Sequence, residues 1–319
     1  MNSPTSENQP SVLVLSEDAA DFQPLLISLA KQGVQLDFAT TPLAALDAYK
    51  GQQILLAQPE FAASVIDSMS EIGWVQSTWA GITPLLKTRR KDYVLTGVKD
   101  IFGPSMAEYT LAHVLAREQK LAERAQQQAL GEWWREPSGS VNGKTLGIMG
   151  TGSIGSHIAR VAKALGMKVT GFSSSGAARD DFEQIFAKEA LHEFLAEPDY
   201  VVAVLPDTPE TTGLMNDVSF SAMKPTALFI NIGRGNLVNE AALDLALKEG
   251  QIAGAVLDVF RQEPLSADSR LWHTPRLIIT GHVATHSWPR DIAGIFLDNY
   301  QRFIQQQTLH NLIDRKRGY

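Results

Sequence analysis

With 319 residues, 44% of them hydrophobic and 20% charged, the chain is long enough for roughly two domains and a sizeable core. A net charge of -7 and a pI near 5.5 give no footprint for nucleic acid, and the absence of cysteine excludes disulfides, thiol nucleophiles and cysteine-ligated metals. No run approaches the ~18 apolar residues of a membrane span, and the polar stretch from Met1 to Pro10 lacks the basic start and apolar core of a signal peptide, so it reads as a loose tail on a cytoplasmic protein.

In chain order, the pattern predicts a strand over 11–15, a helix over 22–32, a strand over 34–39, a helix over 42–50, a strand over 53–57 and a helix over 60–69. Strands over 74–78 and 93–96 complete this series. Strands alternating with helices imply a parallel sheet covered on both faces. The run Gly103-Pro104-Ser105 then punctuates the chain, with Pro104 placed for a helix start and Ser105 for a cap. A long helix is expected over 106–128, which contains neither glycine nor proline. A second alternating series has strands over 144–149, 168–172, 200–205, 227–232, 254–257 and 277–280. An amphipathic helix over 292–307 is too short to be a domain and is expected to return to the first one. The glutamine triplets at 126–128 and 305–307 read as solvated helix faces. The expected division is 1–102, 103–286 and a returning segment 287–319.

The second series opens on the most specific signal in the chain. Lys144 to Met149 reads as a strand, Ser156 to Gly166 as a helix, and between them stands Gly150-Thr151-Gly152-Ser153-Ile154-Gly155. A glycine-rich turn between strand and helix is the dinucleotide-binding fingerprint. Gly150 permits the tight turn, Gly152 lets backbone approach a pyrophosphate, and Gly155 lets helix and strand pack closely. The anion then sits on the free N–H groups at the helix start, around Ser153 and Ile154.

Three later strand ends carry reactive side chains. Arg234 stands between glycines after 227–232, with a planar fork suited to a carboxylate; taken alone it could equally serve a surface salt bridge. Asp258 and Glu263 follow 254–257, and Glu263 alone would pass for a solvated loop acid. His282 follows 277–280. In an open parallel sheet, ligands bind beyond the carboxyl ends of the strands. Hydride transfer to a carbonyl needs a proton donor, and histidine supplies one near neutral pH when a carboxylate beside it favours imidazolium. By contrast, the basic run Arg89-Arg90-Lys91 reads as a solvated loop, and the pair His282 and His286 lacks a third ligand, so no metal is expected.

These motifs make the chain resemble the D-isomer-specific 2-hydroxyacid dehydrogenases, most closely their glyoxylate/hydroxypyruvate reductase branch. The carriers are the Gly150–Gly155 turn, Leu205-Pro206-Asp207-Thr208-Pro209-Glu210-Thr211-Thr212-Gly213-Leu214-Met215-Asn216, the Asn231–Gly235 segment with Leu237-Val238-Asn239-Glu240, Leu257-Asp258-Val259-Phe260, and Glu263-Pro264-Leu265. The resemblance implies two doubly wound parallel-sheet α/β domains, a flavodoxin-like substrate domain and a Rossmann nucleotide-binding domain, with the active site in the cleft between them. It implies that Arg234 binds substrate carboxylate and carbonyl, that His282 is the acid-base residue and that Glu263 is its partner. Backbone at Ala80, Gly81 and Ile82 would hold the carboxylate from the first domain. Leu205, Pro206 and Thr211 would line the cofactor cleft, with Ile232, Gly233, Arg234 and Asp258 flanking its nicotinamide half. The product would be a D-2-hydroxy acid made from a small 2-oxo acid. Trp133-Trp134 falls in a region that packs on a second subunit in the family, so a homodimer is implied.

Three departures from the family pattern stand out. Gly281 replaces the proline usual before the catalytic histidine, leaving that loop less constrained. Gly81-Ile82-Thr83 stands where Gly-Val-Asp is common. The strand over 168–172 ends on Ser173 and Ser174, without the acid that grips the ribose hydroxyls in NAD-preferring sites. The serines tolerate a 2′-phosphate and Arg179 is a candidate to reach it, although the arginine common at or beside Ser174 in NADP-using relatives is absent. NADP(H) is therefore favoured over NAD(H). Two alternatives share the fold: a formate- or phosphite-oxidising relative, against which Gly281 counts because glutamine is usual there, and a nucleotide-sensing corepressor that retains the Arg-Glu-His set.

Overall fold

Among residues 9–315, which this computed structural model describes, two sheets form, one of five strands and one of seven, and every neighbouring pair in both is parallel. Residues 1–8 of the expected tail lie outside the described residues. The chain divides into two units, one reaching Ile101 and resuming at Ser287, the other spanning Phe102–His286.

The first unit holds β1 (Val12–Leu15), β2 (Leu36–Ala39), β3 (Ile54–Ala57), β4 (Trp74–Ser77) and β5 (Val94–Thr96), in the order β2-β1-β3-β4-β5. The runs VLVL and ILLA are buried at every position, as strands covered on both faces must be. Two expected helices are shorter than their patterns. The first divides at Leu26 into Ala19–Leu25 and Ile27–Lys31, two residues past Pro24, which has no N–H to give the first of these helices. The other runs over Pro59–Val65 and tightens to a 3-10 turn at Ile66–Ser68. The returning helix, Pro289–Ile304, joins this unit through Trp74, whose indole stacks on Phe296 at 5.2 Å and Phe303 at 5.4 Å. Trp74 Nε1 donates to Thr96 Oγ1 (2.8 Å), and Asn299 donates to Gln76 Oε1 (3.3 Å), so the buried polar atoms at this seam are paired.

In the second unit, the helix expected over 106–128 is two helices, Gly103–Glu118 and Leu121–Ala129, separated by Lys120 in the left-handed conformation (φ 53°). Neither glycine nor proline marks the break. The first piece buries Met106, Ala107, Thr110, Leu111 and Val114, whereas the second buries nothing, so packing that holds one piece does not extend to the next. Pro104 does sit in the first turn, but Ser105 caps nothing: its hydroxyl meets Phe102 O (3.3 Å) and Thr285 Oγ1 (2.6 Å).

The second sheet comprises β6 (Thr145–Met149), β7 (Lys168–Phe172), β8 (Gln184–Phe186), β9 (Tyr200–Ala203), β10 (Leu228–Asn231), β11 (Gly254–Leu257) and β12 (Leu277–Ile279). Its order is β12-β11-β10-β9-β6-β7-β8. The edge strand β8 was not predicted; three residues carry too little periodicity to announce it. Strand order reverses between β6 and β9, the switch point at which open α/β sheets bind ligands. No described helix is long and apolar enough to cross a membrane.

Candidate active site

The glycine turn leaves β6 and feeds the Ser153–Ala164 helix. Each of its glycines meets a different constraint. Gly150 has φ +109°, a conformation L side chains rarely adopt. A Cβ on Gly152, the helix N-cap, would meet nothing within 4 Å. A Cβ on Gly155 would overlap the Gly150 carbonyl oxygen. The turn is thus tight at its start, closely packed at its end and open in the middle. Gly152 gives the helix no side-chain cap, so the first N–H groups, at Ser153 and Ile154, have no capping side chain and suit an anion.

From this switch point the candidate residues follow strand by strand along the sheet. The loop after β9 carries Leu205, Pro206 and Thr211. Thr211 Oγ1 donates to Pro206 O (2.7 Å) and accepts from Thr208 N (3.0 Å), so the threonine knits the loop that bears it. After β10 comes Arg234. The buried Asn231 side chain clasps this turn, donating to Arg234 O (3.0 Å) and accepting from Gly233 N (3.2 Å). Two glycines lock it between its neighbours. A Cβ on Gly233 would press on the Leu205 backbone at 2.9 Å, and one on Gly235 would overlap the Phe260 carbonyl group. Sequence reasoning placed Gly233 beside a cofactor but missed Asn231 and Gly235 as the residues that aim the arginine.

Arg234 Nη1 donates to Gly233 O (2.6 Å), and among the described residues no carboxylate lies within ion-pair distance of its guanidinium. Burial holds its pKa below the ordinary arginine value, against the pull of Asp207 and Glu263. The fork therefore keeps donors for an anionic ligand.

The loops after β11 and β12 meet through a histidine and a carboxylate. His282 Nδ1 lies 2.7 Å from Glu263 Oε2, while Glu263 Oε1 accepts from Phe260 N (2.9 Å). The hydrogen bond to Glu263 raises the His282 pKa above its ordinary value, outweighing burial. Burial would raise that of Glu263, but the bonds from His282 and the Phe260 amide lower it. His282 remains 49% exposed at its side chain, so the ring reaches solvent, and no described residue bonds its Nε2. The pair can therefore present a proton from a histidine biased toward imidazolium.

Asp258, expected to flank a cofactor, has its carboxylate otherwise engaged. It is 1% exposed and accepts from Thr280 Oγ1 (2.5 Å) and Val283 N (2.8 Å) at Oδ1 and from Ala284 N (2.9 Å) at Oδ2. Its own carbonyl accepts from His282 N (2.7 Å). The side chain thus organises the histidine loop. On the other side of β6, Ser173 Oγ accepts from Gly176 N (3.1 Å), and Ser174 and Arg179 are exposed. Ile232 is buried, its amide bonded to Ala203 O (3.1 Å). Ala80, Gly81 and Ile82 belong to the first unit, in the loop after β4. Among the described residues no group of three His, Asp or Glu side chains is arranged to hold a metal ion.

A sequence profile described as D-isomer specific 2-hydroxyacid dehydrogenase, NAD binding domain, matches residues 111–284. The glyoxylate reductase of Aeropyrum pernix is 35% identical over 240 residues, 72% of this chain and 71% of that protein. Among solved structures, a D-isomer specific 2-hydroxyacid dehydrogenase family protein from Aeromonas salmonicida matches with a TM-score of 0.92 at 43% identity, over 97% of this chain and 100% of that one. An NADPH-dependent glyoxylate/hydroxypyruvate reductase from Sinorhizobium meliloti, solved in complex with NADP and sulfate, matches with a TM-score of 0.86 at 26% identity, again over 97% and 100%.

Proposed function

Because the chain belongs to the D-isomer specific 2-hydroxyacid dehydrogenase family, in its glyoxylate/hydroxypyruvate reductase branch, and is an NAD(P)-dependent oxidoreductase, we propose that it reduces a small 2-oxo acid of the glyoxylate or hydroxypyruvate type to the D-2-hydroxy acid. The observation that carries this reading is the order along one sheet: an anion-ready turn at the switch point, then an arginine with no carboxylate partner among the described residues, then a histidine bonded to a glutamate.

In this reading Arg234 grips the substrate's carboxylate and carbonyl, using the fork left free by its single backbone bond. His282 gives a proton to the carbonyl oxygen as negative charge develops there, and Glu263 keeps the ring oriented and protonated. Gly150, Gly152, Ser153, Ile154 and Gly155 receive the pyrophosphate, with the loops at Leu205–Thr211 and Ile232–Gly233 alongside. When bound, the dinucleotide supplies the hydride. NADP(H) is favoured because Ser173 places no carboxylate against a 2′-phosphate, and the Sinorhizobium meliloti relative that carries NADP supports the choice.

The test is NAD(P)H consumption by the purified protein with a panel of 2-oxo acids that includes glyoxylate and hydroxypyruvate. Rapid turnover is expected. Nucleotide binding without turnover of any 2-oxo acid would favour a sensing role instead, and formate or phosphite oxidation would favour the other dehydrogenase class.

We also propose a homodimer. The Leu121–Ala129 helix buries none of its residues, and Leu121 on it with Leu130 and the 86%-exposed Trp133 after it are exposed apolar side chains that a second copy would cover. Trp133→Glu should shift sedimentation toward the monomer; an unchanged profile would reject this face.

A further inference from the structure

The loop that carries His282 has a weak point and an unexpected clamp. Gly281 gives it freedom just where His282 itself holds φ +56°, in the left-handed region disfavoured for a residue with a Cβ. Nothing within 4 Å surrounds the Cβ position of Gly281, so packing does not restrain it either. Yet both flanks of the loop are tied to one face of the Gly103–Glu118 helix. Tyr109 OH lies 2.6 Å from Thr280 Oγ1, and Ser105 Oγ lies 2.6 Å from Thr285 Oγ1. Ser105 and Tyr109 are one helical turn apart, so they share that face.

The direction of the hydrogen bonds follows from counting protons. Thr280 spends its single hydroxyl proton on Asp258 Oδ1 (2.5 Å), so the bond between Tyr109 and Thr280 requires the tyrosine to donate. Burial pushes the Tyr109 pKa up to about 12, which keeps that proton in place. Asp258, fixed by Thr280, then accepts the amides of Val283 and Ala284, and its carbonyl accepts that of His282. The chain Tyr109–Thr280–Asp258 therefore ends on the backbone amides of Val283 and Ala284, the two residues that follow the histidine.

We infer that Tyr109, with Ser105, is a positioning residue for His282: the helix face supplies the rigidity that Gly281 withholds from the loop. Tyr109 touches neither substrate nor cofactor in this scheme. It acts through Thr280 and Asp258 on the direction in which the imidazole points. The inference rests on the proposed role of His282, and the experiment separates the two.

Tyr109→Phe removes only the donated hydrogen bond. With glyoxylate and NADPH it should lower kcat roughly 5- to 20-fold, less than the hundredfold expected of a full ångström misplacement, while KM for NADPH stays within about twofold. The same substitution in the Gly281→Pro background should cost less than about twofold, because proline fixes φ at that position and no hydrogen bond of the Gly281 amide is lost. A second readout does not need turnover. In long-range ¹H–¹⁵N spectra of the histidine rings, the His282 signals, assigned with His282→Gln, should shift or broaden in Tyr109→Phe and return in the double variant. Wild type without turnover of any 2-oxo acid overturns the proposed function alone, and the ring spectra still decide the clamp. An unmoved His282 signal, or an equal cost of Tyr109→Phe in both backgrounds, overturns the clamp alone.

Discussion

His282 and Glu263 meet at 2.7 Å through Nδ1 and Oε2, across the ends of two adjacent parallel strands, and the contact raises the histidine pKa while lowering that of the glutamate. In the proposed reduction the histidine must be protonated before hydride arrives, since the carbonyl oxygen becomes an alkoxide. Activity should therefore be full at low pH within the stable range and fall as pH rises through the raised value. Glu263→Gln keeps the shape and removes the charge, so the falling limb should move to lower pH. The pH profile of kcat/KM for both forms checks this, and a limb that stays in place denies Glu263 the tuning role. His282→Ala should cost about 10²–10⁴-fold in kcat with cofactor affinity little changed. The ion pair's modest contribution to stability is complete between the unfolded glutamate value of ~4.3 and the unfolded histidine value of ~6.5; it is lost as pH rises through the raised histidine value and as pH falls through the lowered glutamate one.

Arg234→Lys should be far from conservative. The arginine is aimed by Asn231 and by close glycine packing, and its planar fork can bind carboxylate and carbonyl oxygens at once. Lysine offers a point charge, with an expected loss of about 2–4 kcal/mol in transition-state binding, the worth of a preorganised donor. Steady-state kcat/KM measures it; near-normal values would remove Arg234 from the substrate site.

Gly235→Ala probes the same loop without touching its charge. The added Cβ would fall on the Phe260 carbonyl group, and Phe260 is the residue whose amide holds Glu263. The loops after β10 and β11 must part, costing about 1–3 kcal/mol of stability and disturbing Arg234 and Glu263 together. Thermal melting and kcat/KM should both fall; an unchanged melting point would mean that the loops yield freely.

Cofactor preference is tested by Ser173→Asp. Wild type should favour NADPH by a modest margin, since Ser173 carries no charge to repel a 2′-phosphate and the exposed Ser174 supplies no arginine fork. The aspartate should swing preference to NADH by repelling the phosphate and bonding the ribose hydroxyl. A wild type that works far better with NADH, or a variant that keeps its NADPH preference, would sink the idea.

Much was legible from the residues alone, for local reasons. Alternating apolar runs and helices report two parallel sheets because strands buried on both faces must be continuous apolar segments. The turn Gly150–Gly155 is readable because its strand, turn and helix are contiguous and each glycine answers a constraint within that short span. Arg234, Glu263 and His282 stand out because each follows a strand end. What only tertiary structure decided concerns partners far apart in the chain. The break at Lys120 reflects packing that stops, not a helix-breaking residue. The short edge strand β8 exists only by pairing with β7. The carboxylate of Asp258 is buried under the histidine loop and accepts amides 25 and 26 residues further along the chain. The bond from Tyr109 to Thr280 spans 171 residues, and Gly235 lies against Phe260 across neighbouring strands; no periodicity encodes such pairs, because only the folded sheet brings their backbones into contact.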